Sequence, residues 1–245
     1  MFDCKVEIEK RVRFIKQILS ESGANGIVFG NSGGKDSALV GILSKMAAEN
    51  VIGVIMPCGS KINYGSDMDD AKELAKQFGI ETVVVDLTET KETLLSHIGD
   101  VNRDADINIA PRLRMTTLYA IAADRSYLVA GTGNMLEQYI GYFTKYGDGG
   151  CDFNPIADLT VSQVYELLAY LSAPDMIISK APSAGLFEGQ TDEDDLGITY
   201  KEIEDYIING VGDAETIEKI ECMHQRSEHK RKLPETFSEK VSSKT

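Results

Sequence analysis

Eight consecutive residues, Gly30-Asn31-Ser32-Gly33-Gly34-Lys35-Asp36-Ser37, bring together glycines, hydroxyls and a cation in a pattern that holds phosphate. An apolar run, Gly26-Ile27-Val28-Phe29, precedes them, and a helical pattern from Asp36 to Asn50 follows. In a strand–turn–helix of this kind the glycines let backbone N–H groups approach an anion closely. The helix N-terminus adds unsatisfied donors and a partial positive charge. Ser32 and Ser37 supply further donors. Asp36 has the wrong sign for an anion but suits Mg2+ that rides on the phosphates. The Lys follows directly on Gly34 and precedes an Asp, so this is not a Walker A loop.

The elements that must position this loop read as alternating strands and helices. An amphipathic helix over about Lys5 to Ser22 carries Ile8, Val12, Ile15 and Leu19 on one stripe and stops at Gly23-Ala24-Asn25-Gly26. Val51 to Met56 and Thr82 to Leu87 read as buried strands, with a helix over Asp67 to Gly79 between them. A helix over Thr88 to Ile98, an irregular polar stretch over 100–110 and a helix over Pro111 to Ser126 lead to a fourth strand, Tyr127 to Ala130. The alternation predicts an α/β fold, a doubly wound and mostly parallel sheet with flanking helices, plus C-terminal helices. Ligands of such sheets sit over the strand carboxyl ends at the switch point, which brings Thr132, just after the fourth strand, near Ser32 to Ser37. Beyond lie Glu137 and a loop, Gly141-Tyr142-Phe143-Thr144-Lys145-Tyr146-Gly147-Asp148-Gly149-Gly150, whose four glycines are costly to order without a reason. Helices are expected over Thr160 to Leu171, Tyr200 to Ile208 and Ala214 to Ser227. The acidic stretch over 183–195 reads as a lid loop and 238–245 as a frayed tail of a single domain.

The bulk properties narrow the class. The net charge of −14 argues against broad nucleic-acid binding, although His229-Lys230-Arg231-Lys232 is locally basic. No apolar run is long enough to span a membrane. Cys4, Cys58, Cys151 and Cys222 are scattered without a CxxC pair, which suggests neither zinc nor disulfides and points to a reduced, cytoplasmic protein.

Ser32-Gly33-Gly34-Lys35-Asp36-Ser37 resembles the pyrophosphate loop of the N-type ATP pyrophosphatases, which split ATP into AMP and pyrophosphate to adenylate a substrate. With Gly131-Thr132 and Glu137, the 141–150 loop and Glu228-His229-Lys230-Arg231, the chain resembles the ammonia-dependent NAD+ synthetases along nearly its whole length. The resemblance implies an adenine nucleotide α-hydrolase-like fold and a homodimer. It also implies ATP-dependent amidation of deamido-NAD+ by free ammonia, through an adenylate, to NAD+, AMP and pyrophosphate. No glutaminase domain is expected. By position in the family's motifs, Gly30 to Ser37, Met56, Thr132 and Ser183 would contact ATP, and Asp36 and Glu137 would hold Mg2+. Arg112, Lys145, Asp152, His229 and Lys230 would hold deamido-NAD+. Asp36 and Asp148 are the catalytic candidates. Asp148, a carboxylate set among glycines, is assigned to receive ammonium and release ammonia; its other role would be to cap the turn. Two departures stand out: Val161 occupies the position where the family usually has a Lys reaching phosphate, for which Lys35, an uncommon occupant of the loop's variable position, is the candidate compensation, and Ser183 stands for the family's later ATP-contacting Thr and keeps the hydroxyl. Two rival readings remain: an N-type pyrophosphatase with another adenylated acceptor, and a nucleotide-binding protein with weakened catalysis.

Overall fold

The computed structural model describes residues 2–59, 66–179 and 192–237. Helix α1 (Cys4–Ser22) begins where the Asp3 carboxylate accepts the Val6 N–H at 3.2 Å. Four strands follow: β1 (Gly26–Gly30), β2 (Val51–Ile55), β3 (Glu81–Val84) and β4 (Tyr127–Ala130). All pair in parallel, in the order β3-β2-β1-β4, with Ile27 opposite both Val51 and Leu128. Helix α2 (Lys35–Ala47) joins β1 to β2, and α3 (Ser66–Phe78) joins β2 to β3. Helices α4 (Thr88–Ile98), α5 (Arg103–Ile107) and α6 (Ile109–Arg125) return the chain to the far side of β1. The winding therefore reverses between β1 and β4, the expected switch point.

Both faces of the sheet are covered. Ile27 and Phe29 pack with Ile15 of α1 and with Leu39 and Leu43 of α2. Leu167 of α8 (Val161–Tyr170) joins the same cluster. Val28, Ile52, Val54 and Val129 point the other way, toward Leu118 and Ala122 of α6. The alternation along β1 is that of a strand buried on both faces. Gly41 explains the close approach of α2: a Cβ there would meet the Phe29 ring at 2.6 Å.

After β4 the chain forms α7 (Met135–Ile140), the 141–150 loop and α8, then α9 (Asp175–Ile178) and α10 (Asp192–Leu196). Helices α11 (Tyr200–Asn209), α12 (Ala214–Arg226) and α13 (Glu228–Arg231) complete the described chain. Leu136 and Ile140 of α7 pack with Val161, Ile203 and Ile220, so the C-terminal helices seat α7 against the sheet domain.

The structure departs from the sequence expectations at element edges. Strand β3 is short and its ends are exposed, because it lies at the sheet edge with one neighbour; Val85 and Leu87 still donate to the carbonyls of Ile55 and Pro57. The polar 100–110 stretch is not irregular throughout: the Asn102 side chain caps α5 by accepting the Ala105 N–H at 2.9 Å. Helix α10 occupies the end of the acidic stretch; residues 183–191 and 238–245 lie outside the described residues. Among the described residues no helix is long and apolar enough to cross a membrane.

Candidate active site

A cavity of about 580 Å³ opens over the carboxyl ends of β1, β2 and β4. The β1–α2 loop forms one wall. Ser32 and Ser37 hydroxyls lie 3.0 Å apart, the Ser32 Oγ accepts the Gly34 N–H at 3.3 Å, and the Ser37 hydroxyl donates to the Gly34 carbonyl at 3.0 Å. No side chain caps α2 at Gly34, so the first N–H groups of the helix are left for an anion. Gly33 adopts φ +77° with its Cα against the Asp67 carbonyl, a place only glycine fits. Asn31 is buried and donates to the Ala71 carbonyl at 3.0 Å, tying the loop to α3. Gly30, Met56 and Thr132 also line the cavity.

Two carboxylates, Asp36 and Glu137, face this space. Glu137 sits in the first turn of α7 because Asn134 and Glu137 form a reciprocal capping box: the Asn134 side chain accepts the Leu136 and Glu137 N–H groups, and Glu137 Oε2 accepts the Asn134 N–H at 3.0 Å. Asn134 Nδ2 also donates to Asp36 Oδ1 at 3.4 Å. Burial raises the Glu137 pKa, and the nearby Asp36 charge raises it further. Lys35, itself buried, pairs with Asp36 Oδ2 at 2.8 Å. Among the described residues no cluster of three or more His, Cys, Asp or Glu side chains has metal-binding geometry. Two hard carboxylates beside an anion-binding helix end nonetheless suit Mg2+, an ion that takes a few protein oxygens and completes its shell with phosphate and water.

The 141–150 loop forms the opposite wall. Asp148 is an exposed residue whose carboxylate accepts the Thr144 N–H at 3.0 Å, so it does cap the turn; it also lines the cavity. Desolvation of the carboxyl by the surrounding loop pushes its pKa up, against the Thr144 hydrogen bond and the Lys230 charge. Lys230 donates to the carbonyls of Gly141 and Phe143 at 2.7 Å each, and burial lowers its pKa. Arg231 donates to the carbonyls of Gln138 and Tyr139 at 3.1 Å, so α13 satisfies the open end of α7.

Arg112, Lys145, Asp152 and His229 are not among the residues that line the cavity. Arg112 Nε donates to the Lys145 carbonyl at 3.4 Å, and Lys145 Nζ to the His229 carbonyl at 2.6 Å, forming a polar chain outside the cavity. Asp152 accepts the Val129 N–H at 2.7 Å and the Tyr119 hydroxyl at 3.1 Å. Ser183 lies outside the described residues. Val161 is buried in the cluster that packs Leu136 and Ile140 of α7. Sequence reasoning missed Arg114 and Tyr165 as cavity residues, and Asn134 as the residue that positions Glu137. Pro111, Arg114, Met115 and Leu118 all line the cavity at i, i+3, i+4 and i+7; that helical stripe was the available signal, and it excludes Arg112. The Asn134-x-x-Glu137 spacing was the signal for α7.

Comparison with known proteins places this geometry in context. The profile of the NAD synthase family matches residues 7–234. The NH(3)-dependent NAD(+) synthetase of Carboxydothermus hydrogenoformans is 46% identical over 93% of this chain and 95% of its own. The structure of an NMN synthetase from Francisella tularensis superposes with a TM-score of 0.92 at 39% identity, covering 96% of this chain and 99% of that one. An NH3-dependent NAD synthetase from Campylobacter jejuni gives 0.80 at 30% identity, covering 97% and 100%. With a family match over residues 7–234, relatives at up to 46% identity and solved members of the same fold, the chain belongs to the NAD synthase family.

Proposed function

We propose that the chain joins ammonia to the nicotinate carboxylate of deamido-NAD+ in an ATP-dependent amidation, giving NAD+, AMP and pyrophosphate. The observation that carries this reading is a single cavity that sets the Ser32–Ser37 loop and the Asp36/Glu137 pair opposite the 141–150 loop, in a chain of the NAD synthase family. An acceptor with a different adenylated group is disfavoured by the relatives, which are NH(3)-dependent NAD(+) synthetases over most of their length.

The chemistry divides among the walls. The substrate carboxylate attacks the α-phosphate of ATP, an acyl-adenylate forms, and pyrophosphate leaves. The free N–H groups at the start of α2 and the Ser32 and Ser37 hydroxyls hold the departing pyrophosphate in line. Asp36 and Glu137 would hold Mg2+, which when bound neutralises charge on the phosphate oxygens. Gly30, Asn31, Met56 and Thr132 shape the nucleotide side of the cleft. Asp148 receives ammonium from solvent across the cavity from Asp36 and Glu137; its carboxylate takes one proton, and the ammonia left attacks the activated carbonyl and expels AMP. Lys230 holds the loop that carries Asp148. Arg112, Lys145, Asp152 and His229 form an outer polar surface suited to the distal part of a dinucleotide. A homodimer is the expected assembly, and exposed Leu94, Ile98 and Val101 supply apolar surface for it.

A second acceptor follows from the likeness to the F. tularensis NMN synthetase: nicotinate mononucleotide, whose amidation gives NMN by the same steps. Both readings are tested by incubating the protein with ATP, Mg2+ and ammonium and either acceptor, then quantifying AMP, pyrophosphate and amide product. The dinucleotide should have the higher kcat/KM; a mononucleotide preference would reassign the acceptor, and ADP with phosphate as products would overturn the reaction class.

A further inference from the structure

Lys35 is a buried cation on the wall of the cavity. Its Nζ lies 2.8 Å from Asp36 Oδ2 and 5.6 Å from the centroid of the Tyr200 ring. Of the other cations on the cavity wall, Lys230 is held by two carbonyls and Arg114 donates to the Met56 carbonyl at 3.1 Å. Lys35 is paired with Asp36, one of the two facing carboxylates.

A divalent ion binding Asp36 competes with Lys35 for Oδ2, or takes Oδ1, which accepts from Asn134 Nδ2 at 3.4 Å, and lies beside the ammonium in either case. The two cations also repel each other in a site screened from water. An uncomplexed ion gives the displaced ammonium no new anion; the Tyr200 ring is a weak substitute. An ion arriving on a triphosphate brings the oxygens that receive it. We propose that Lys35 is a positioning residue, a resident counter-ion that keeps uncomplexed divalent metal off Asp36 and admits the metal with its nucleotide. The proposal rests on the reading of Asp36 and Glu137 as the metal pair.

The test is Mn2+ binding to the full chain, followed by the electron paramagnetic resonance of free Mn2+, with and without the non-hydrolysable α,β-methylene-ATP. In wild type the nucleotide should tighten Mn2+ binding by about tenfold or more, in the range of ordinary coupling between sites. Lys35→Met should bind Mn2+ about tenfold more tightly than wild type without nucleotide and lose most of that coupling, whereas Lys35→Arg should behave as wild type. A Lys35→Met protein with unchanged or weaker Mn2+ affinity would overturn the proposal, as would absence of coupling in wild type, a measurement that needs no variant. Asp36→Asn keeps the two readings apart. If it retains wild-type Mn2+ binding in the presence of nucleotide, the metal assignment itself fails; if it loses it while Lys35→Met is no tighter, only the role of Lys35 fails.

Discussion

Glu137 performs two tasks with one carboxylate, and Glu137→Gln separates them from Glu137→Ala. Oε2 accepts the Asn134 N–H at 3.0 Å and closes the capping box of α7, while the charge faces Asp36 in the cavity. Glutamine keeps an acceptor and removes the charge; alanine removes both. Asn134 is fully buried, so the orphaned N–H of the alanine variant costs about 1–3 kcal/mol. At roughly 2–4 °C per kcal/mol for a chain of this size, Glu137→Ala should melt roughly 2–12 °C below wild type. Glu137→Gln relieves the repulsion from Asp36 and should melt at or above wild type in metal-free buffer at neutral pH. Both variants should lose turnover by about a hundredfold or more at limiting Mg2+, since each lacks a charged ligand for the ion that stabilises the transition state. Differential scanning fluorimetry with a chelator gives the first quantity, and a coupled pyrophosphate assay the second. A glutamine variant that melts as low as the alanine one would refute the division into cap and charge. One that turns over like wild type at limiting Mg2+ would remove Glu137 from the metal.

Gly33→Ala places a Cβ 2.2 Å from the Asp67 carbonyl oxygen at φ +77°, so it should abolish the ATP-dependent rise in Tm. Gly34→Ala, whose Cβ would lie 3.4 Å from Ser32 Oγ, should keep most of that rise; equal responses in the two variants would contradict the loop geometry. Asp148→Asn retains an oxygen for the Thr144 N–H, so it should still release pyrophosphate in a single turnover while its ammonium KM rises. An unchanged ammonium dependence would take Asp148 out of the ammonia site. The Tyr206 and Tyr139 hydroxyls, both 2.7 Å from Glu221 Oε1, lower its pKa. That stabilisation is complete above the ordinary carboxylate pKa and is lost as pH falls through the lowered folded value, so the Tm advantage of wild type over Glu221→Gln should shrink in acid. A gap that stays constant with pH would show the hydrogen bonds to be indifferent to the charge.

Much of the fold was legible because its signals are local. The apolar runs of β1, β2 and β4 and the Gly-rich turn after β1 announce a parallel sheet with a switch point between β1 and β4, and the strand–loop–helix around Ser32 to Ser37 was legible. What escaped depends on surroundings. The short helices α5 and α7 are decided by side-chain caps at Asn102 and Asn134 rather than by periodicity. Arg112 and Arg114 are equivalent as letters; only the packing of Leu118 against the sheet decides that Arg114 faces the cavity. Asp152 reads as a ligand in the sequence, yet folding engages both its oxygens with Val129 and Tyr119. Lys35 reads as a loop variable, and its pairing with Asp36 becomes visible only once α2 has formed.

The fastening of α7 by Lys230 and Arg231 has a consequence for the newborn chain. Synthesis runs from the amino end, so the glycine-rich loop meets its supports at Asp67 and Ala71 early, whereas the residues that clasp the Glu137 helix come nearly two hundred positions after Ser37. A chain interrupted before Arg231 therefore holds the β1–α2 loop but lacks the clasp on α7. On the proposed assignment of Glu137 to the metal, such a fragment would be without an anchored second carboxylate for adenylation.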